Sequence, residues 1–404
     1  MLAGATQSGA ALPIGLRLVV LADDLTGAAD TAASFASRSP ATLMIEGGSD
    51  WPGEGSLALD TETRHADEGV ARQRVASLAK RAVRIGSVLY KKVDSLGRGN
   101  IAAEVAAALE VLRSRTPHAI ALLSPAFPYL GRTTARGLIH ADGHPVMRNG
   151  RPLDLAQLLQ HSGLASRTVP APKTTEGLVG QIRAAVAQKL DVLVVDASTE
   201  NDLRRILEAA ASFEEQVLLV GSGGLAKHLG EALFGPVDRH HVPEPPGGAR
   251  LFVVGSRANQ ARAQRAALVA AGVLPIPVMD IPCSDTLRAI RAHLGSGGDV
   301  VIFPDPGMPV APEDATRVAE LLATVAQPLL DAACTIVLTG GETAHAVLRR
   351  TGVAALRILG ELEPGVVLSK VLAQDLYVVT KAGSFGDDQV LVRRLHPTIQ
   401  RSAP

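Results

Sequence analysis

Short apolar runs alternate along this chain with alanine-rich stretches whose apolar positions recur every three to four residues. The runs predict strands at Leu16–Leu21, Ser56–Leu59, Ser87–Lys91, Ala119–Leu123, Val192–Val195 and Val217–Val220. The periodic stretches predict helices over Ala28–Ala36, Ile101–Leu112, Glu200–Ala211 and Leu225–Leu233. Such alternation predicts βαβ units, right-handed crossovers and mainly parallel sheets. His140-Ala141-Asp142-Gly143-His144 interrupts the rhythm, and its Asp-Gly pair predicts a hairpin tip.

A break falls at Gly235–Ala249, where prolines, charged residues and a glycine pair exclude a continuing helix or central strand. Beyond it the pattern restarts, with strands predicted at Leu251–Val254, Val300–Phe303, Thr335–Leu338 and Tyr377–Thr380. Helices are predicted at Asn259–Ala271 and Ala344–Arg350. The fold class is therefore α/β, with two domains, 1–240 and 250–404. Each is expected to be a mainly parallel sheet flanked by helices, with a cleft between them, where ligands usually sit. Residues 1–15 read as a disordered tail.

Composition supports that class. Apolar residues make up 47% of the chain but aromatics only 3%, which suits helices packed on parallel sheets. Forty basic residues balance forty acidic ones, so no global field draws nucleic acid or an anionic membrane. Any anion must be held by a local constellation. Cys283 and Cys334 form no C-x-x-C pair, and both are expected to be buried thiols in a reducing cytoplasm. Leu16–Leu21 is too short for a signal core or a membrane span, so a soluble cytoplasmic protein is expected.

The candidate chemistry falls at strand ends, where open parallel sheets bind ligands. Asp23 and Asp24 follow the first strand; either carboxylate could accept a proton from a substrate hydroxyl. Asp24 or Thr26 could instead cap the next helix. One of the two aspartates is expected to be structural and the other functional. Arg64 could clamp a carboxylate bidentately, or could be a solvated surface residue. In Tyr90-Lys91-Lys92-Val93-Asp94-Ser95-Leu96-Gly97-Arg98-Gly99-Asn100, strand alternation turns only one of the two lysines toward a given ligand. Asp94, Ser95 and Arg98 suit a small polyhydroxylated acid, while Asn100 reads as a helix cap. Arg132, in a proline-stiffened loop, is placed to face the cleft. His140 and His144 lack the spacing of a metal site.

In the second half three glycine-bearing strand–helix turns recur: Gly255-Ser256-Arg257, Gly340-Gly341-Glu342-Thr343, and Lys381-Ala382-Gly383-Ser384-Phe385-Gly386. Glycines let backbone approach a ligand closely, and helix N-termini offer free N–H groups, so the set suits a polyphosphate. Thr343 could equally cap its helix. Gly221-Ser222-Gly223-Gly224-Leu225-Ala226 matches the dinucleotide pattern G-x-G-x-x-G/A, but the proline-rich segment stands where the second strand should be. No Walker P-loop sequence occurs.

The ordered motifs ADDLTGAAD, DTETR, YKKVDSLGRGN, SPAFPYLGRTT, GSGGLA, VVGS, LTGGETA, GELEPG and TKAGSFG resemble the four-carbon acid sugar kinases, over about Leu18 to Leu395. The resemblance implies a sugar-acid-binding N-terminal domain and a C-terminal domain binding ATP without a Walker loop. It implies transfer of the γ-phosphoryl group to the terminal hydroxyl of a tetronate such as D-threonate or D-erythronate, with ATP and Mg²⁺ as cofactors. Nucleotide contacts would fall on Ser256, Gly340, Gly341, Glu342, Thr343 and Gly383. Substrate contacts would fall on Asp23, Asp24, Arg64, Lys92, Asp94, Ser95 and Arg98, with Asp24 or Asp23 as the catalytic carboxylate. Many relatives carry D-S-T-L-R-G-N where this chain has Asp94 to Asn100, and the K-K-x-D-S version looks more like the threonate and erythronate kinases than the oxo-tetronate branch. The expected partner is a small sugar acid, with a homodimer as the assembly considered. Two rival readings are a dinucleotide-dependent oxidoreductase using Gly221 to Ala226 and a non-enzymatic sensor of a small acid.

Overall fold

A computed structural model describes residues 15–395 apart from 46, 49, 214–215, 237–241, 309–313 and 373. The expected tail at 1–15 lies outside the described residues except for residue 15, as does part of the proline-rich break. The chain divides into two compact units, one ending at residue 239 and the other beginning at residue 240, with Leu43–Ile45 grouped with the second.

The first unit carries β1 (Leu16–Ala22), the start of β2 (Ala41–Met44), β3 (Gly55–Asp60), β4 (Val88–Lys92) and β5 (Ile120–Ser124). Short strands follow: β6 (Arg132–Ala135), β7 (Leu138–Ala141), β8 (His144–Pro145), β9 (Met147–Arg148) and β10 (Arg151–Pro152). Then come β11 (Ser166–Val169), β12 (Val192–Val195) and β13 (Val217–Gly221). Its main sheet runs β11-β12-β5-β13-β4-β1-β3, every pair parallel. Branched aliphatic strands buried on both faces are what such a sheet requires. The hairpin expected at Asp142-Gly143 joins β7 to β8, both turn residues having positive φ. Arg132 lies 3.7 Å from the carboxylate of Asp142 in that hairpin.

Parallel register aligns the strand ends. Ala22 pairs with Asp60 and with Lys92, and Gly221 with Lys92 and Ser124. The strands run one residue further than hydropathy predicts, carrying the ladder out to the polar residues themselves. Helices α1 (Leu25–Ala36), α2 (Glu68–Arg84) and α3 (Ile101–Arg113) follow β1, β3 and β4. Ten of the thirteen residues of α3 are buried, and one of them is Glu104.

The second unit carries β14 (Arg250–Val254), β15 (Leu274–Val278), β16 (Val300–Pro304), β17 (Thr335–Thr339), β18 (Ala355–Glu363), β19 (Val366–Val371) and β20 (Tyr377–Lys381). Their order is β18-β19-β20-β17-β14-β16-β15. The five strands from β20 to β15 are parallel, and the β18–β19 hairpin adds antiparallel pairs at the other side, a feature the alternation pattern did not predict. The chain leaves β14 toward β15 on one side and leaves β17 toward β20 on the other. The two neighbours therefore form a topological switch point, the usual ligand position in an open parallel sheet. No helix among the described residues is long and apolar enough to cross a membrane. Cys283 is exposed and Cys334 half-buried, against the expectation of two buried thiols; Cys283 precedes a surface helix whose apolar face does not include it.

Candidate active site

In the first unit the loops after β1, β3 and β4 converge. Thr61 N–H donates to Ala22 O, and the N–H groups of Thr63 and Arg64 both donate to Asp23 O, which folds the Asp60–Arg64 loop against the aspartates. Asn100 sits at the N-cap position of α3 but its side chain makes no cap bond. Its amide donates instead to Thr63 O and Ala66 O at 2.8 and 2.7 Å, stapling the β4 loop to the β3 loop.

Arg64 is the hub. Its guanidinium meets Asp23 at 2.7 and 2.9 Å and Asp24 at 2.8 and 2.7 Å, with Asp94 at 3.6 Å. Far from a solvated surface residue, its side chain is only 12% exposed. Asp24 also caps α1, accepting from Gly27 N–H at 3.0 Å and from the Thr26 hydroxyl at 2.6 Å. The capping reading of Asp24 is thus realised together with its place in the site. Burial raises the proton affinity of Asp24, but the charges of Arg64 and Lys92 and the Thr26 hydrogen bond outweigh it and hold the carboxyl below its ordinary range. For Asp23, 2% exposed, burial wins and the neighbouring Asp24 charge adds to it, so its carboxyl is raised. The pair is split by environment.

The two lysines of β4 diverge as strand alternation requires. Lys91 turns inward to Glu104 of α3, at 2.8 Å, with both side chains buried. Lys92 turns to the start of α1, where a Cβ placed on Gly27 would lie 2.9 Å from its ammonium. Among the described residues this buried ammonium makes no hydrogen bond or ion pair. Asp94 accepts from the N–H groups of Leu96 and Arg98 and, at 2.9 and 2.7 Å, from the Arg98 guanidinium. Burial opposes its ionisation, but the Arg98 hydrogen bonds and the charges of Arg98, Arg64 and Lys92 keep it well below the ordinary carboxylate range. Ser95 stands half-buried in that turn, and the Arg98 side chain is 60% exposed. Three carboxylates thus face three cations, and Lys92 and Arg98 keep donors that an incoming acid can use.

In the second unit, Val254 pairs with Thr339 and Thr339 with Lys381, so the three glycine turns begin side by side. They touch. A Cβ on Gly255 would overlap Thr343 Oγ1, and one on Gly383 would overlap Ser256 Oγ. One on Gly340, whose φ is 101°, would lie 3.4 Å from Ser256 Cβ. Gly340 N–H donates to Lys381 O at 2.8 Å. Gly340, not Thr343, occupies the cap position of the helix Gly341–Arg350, and Ala344 N–H makes the bond to Gly340 O. The amides of Gly341, Glu342 and Thr343 come before that bond, in the helix turn that attracts anions. A cavity of about 500 Å³ opens beside Ser256, lined by Arg257, Arg262, Arg265, Asp305 and Met308.

Gly221 to Ala226 is a different object. All six residues are buried. A Cβ on Gly221 would lie 2.8 Å from both Tyr90 Oη and Ser124 O, and one on Gly224 2.6 Å from Ala126 O. Ser222 donates to Ala126 O and accepts from Gly224 N–H. Protein atoms fill the space a pyrophosphate would need, so the glycines serve packing.

Sequence reasoning missed Glu104, the Asn100 staple and Gln264, which is fully buried on the helix Asn259–Ala270 against the Phe385 turn. The signal for Glu104 was present: a lone acid in an alanine-rich apolar helix.

Residues 18–229 match the model of a sugar-binding N-terminal domain, and residues 251–391 that of a nucleotide-binding C-terminal domain. A D-threonate kinase of Cupriavidus necator is 31% identical, over 96% of this chain and 99% of its own length. A D-threonate kinase of Bordetella bronchiseptica is 32% identical, over 93% of this chain and 95% of its own. A solved structure from Salmonella typhimurium LT2 superposes with a TM-score of 0.74 at 21% identity, covering 94% of this chain and 98% of that one, and shows the same fold. Matched along nearly its whole length by both domain models, the chain belongs to the four-carbon acid sugar kinase family.

Proposed function

We propose that this chain transfers the γ-phosphoryl group of ATP to the terminal hydroxyl of a four-carbon sugar acid, with D-threonate the first candidate. The observation that carries the reading is the meeting of three glycine turns at the switch point of the second unit, packed so closely that a Cβ at Gly255 would strike Thr343 Oγ1 and one at Gly383 Ser256 Oγ, with the first-turn amides of the helix after Gly340 forming the cradle. Nucleotide phosphates fit that cradle. Ser256, Gly340, Gly341, Glu342, Thr343 and Gly383 would hold them, and Mg²⁺ would arrive with the phosphates, Glu342 and Thr343 being its protein contacts. ATP supplies the electrophilic phosphorus; the remaining work is positioning and charge.

The first unit supplies the acceptor residues. Lys92 and Arg98 take the sugar-acid carboxylate, Asp94 and Ser95 its hydroxyls. Asp24, whose side chain is 14% exposed, accepts a hydrogen bond from the attacking hydroxyl. In a loose phosphoryl-transfer transition state the proton leaves late, so an ionised carboxylate of low basicity suffices. Arg64, itself held by Asp23, keeps Asp24 in place, and with Lys92 and the Thr26 hydroxyl keeps it charged. Asn caps helices as well as Asp does, so Asp24→Asn keeps the α1 cap, and Asp23 and Asp94 still compensate Arg64. In an ADP-release assay with D-threonate its kcat should fall roughly 10²-fold or more, with ADP binding retained. Turnover close to wild type would remove Asp24 from the mechanism.

A further inference from the structure

Lys381 closes β20 with its side chain fully buried. Its ammonium donates to Ala382 O at 2.7 Å and to Phe385 O at 2.9 Å. Among the described residues it belongs to no ion pair, and burial alone brings it down to about 8. A buried lysine without a counter-ion is costly, and one beside a glycine turn is suited to an anion that arrives from outside.

A second residue acts on the same turn. Gln264 Nε2 donates to Phe385 O, Gly386 O and Asp387 O at 2.9, 3.2 and 2.9 Å. Between them, Lys381 and Gln264 draw in the carbonyls of residues 382, 385, 386 and 387. In a trans peptide the C=O of one residue and the N–H of the next point in opposite directions. Each carbonyl drawn inward therefore turns the following amide outward, those of Gly383 and Gly386 among them. These two amides donate to no acceptor among the described residues. Gly383 is also the residue packed against Ser256.

We propose that Lys381 and Gln264 are positioning residues of the nucleotide site: they fix the Ala382–Gly386 turn with its amides facing outward, and Lys381 adds a buried positive charge that the nucleotide phosphates neutralise. This inference rests on the nucleotide reading of the second unit and extends it to two residues behind the glycine turn. Their action is on ATP, not on the sugar acid, so it predicts a split between substrates.

The test is calorimetric titration with ADP, together with KM for ATP and for D-threonate, on wild type, Lys381→Met and Gln264→Leu. Lys381→Met should weaken ADP binding at least tenfold and raise the ATP KM in proportion, leaving the D-threonate KM within about twofold. Gln264→Leu should shift the same two nucleotide quantities fivefold or more, and it decides the matter alone if Lys381→Met does not fold. A variant that binds ADP as wild type does, or that loses both substrates alike, overturns the positioning role. Wild type that binds no ADP overturns the nucleotide reading instead.

Discussion

Glu104→Gln removes the charge that compensates Lys91 in the interior of the first unit. Lys91 Nζ spends all three of its protons on fixed acceptors: Glu104 Oε2 at 2.8 Å, Leu21 O at 3.1 Å and Lys92 O at 2.6 Å. Both side chains are shielded from water, Lys91 0% and Glu104 1% exposed. Breaking a buried pair from one side leaves an uncompensated charge and costs about 3–5 kcal/mol. For a unit of this size 1 kcal/mol moves the melting temperature by about 2–4 °C, so the first unit should melt about 6–20 °C lower. Differential scanning calorimetry, with urea unfolding as a second probe, measures it. The double variant Lys91→Met/Glu104→Leu should recover most of the loss, because an apolar pair of similar volume replaces a buried ion pair at little cost. A single variant melting within about 1 °C of wild type would refute this account of the strut. Because Lys91 ties α3 to the ends of β1 and β4, the strut also sets the positions from which Asp23 and Lys92 emerge.

Further outcomes follow from the same geometry. Gly383→Ala would drive a methyl group into Ser256 Oγ, and should weaken ADP binding roughly tenfold or more; isothermal titration reads it, and unchanged affinity would show that the turn yields freely. Asp94 ionises more readily folded than unfolded, where its reference is 3.8, so its stabilisation is present above that pH and is lost as the pH falls through the native value. The stability advantage of wild type over Asp94→Asn, measured by urea unfolding, should therefore hold steady above about pH 5 and shrink as the pH falls below 3.8. An advantage constant with pH would contradict the assigned ion pairs.

The alternation of apolar runs with helical periods exposed both α/β units, since strands buried on both faces leave an unbroken hydrophobic trace. Strand ends were harder to read. Asp60, Lys92, Thr339 and Lys381 look like loop residues by hydropathy, yet the parallel ladder reaches them. The alternation of runs and helical periods does not signal the β18–β19 hairpin, although Ala355–Ile358 alternates in burial with period two. Motif positions brought Asp23, Asp24, Asp94 and Arg98 into view, but not that Arg64 would bind both aspartates. That contact joins residues some forty positions apart, through the register of β1 and β3. The cap expected of Asn100 failed for a similar reason: a distant loop offers its amide two carbonyls, and they outcompete the local helix end.

The central claim is phosphoryl transfer to a tetronate, and phosphorus NMR of the product tests it most directly. With ATP, Mg²⁺ and each of the D- and L-threonates and erythronates, the purified protein should convert at least one of them to a phosphomonoester coupled to the protons of its terminal carbon, with ADP formed in equal amount. ADP formation without such an ester, or no turnover of any tetronate or its 3-oxo derivative, would contradict it.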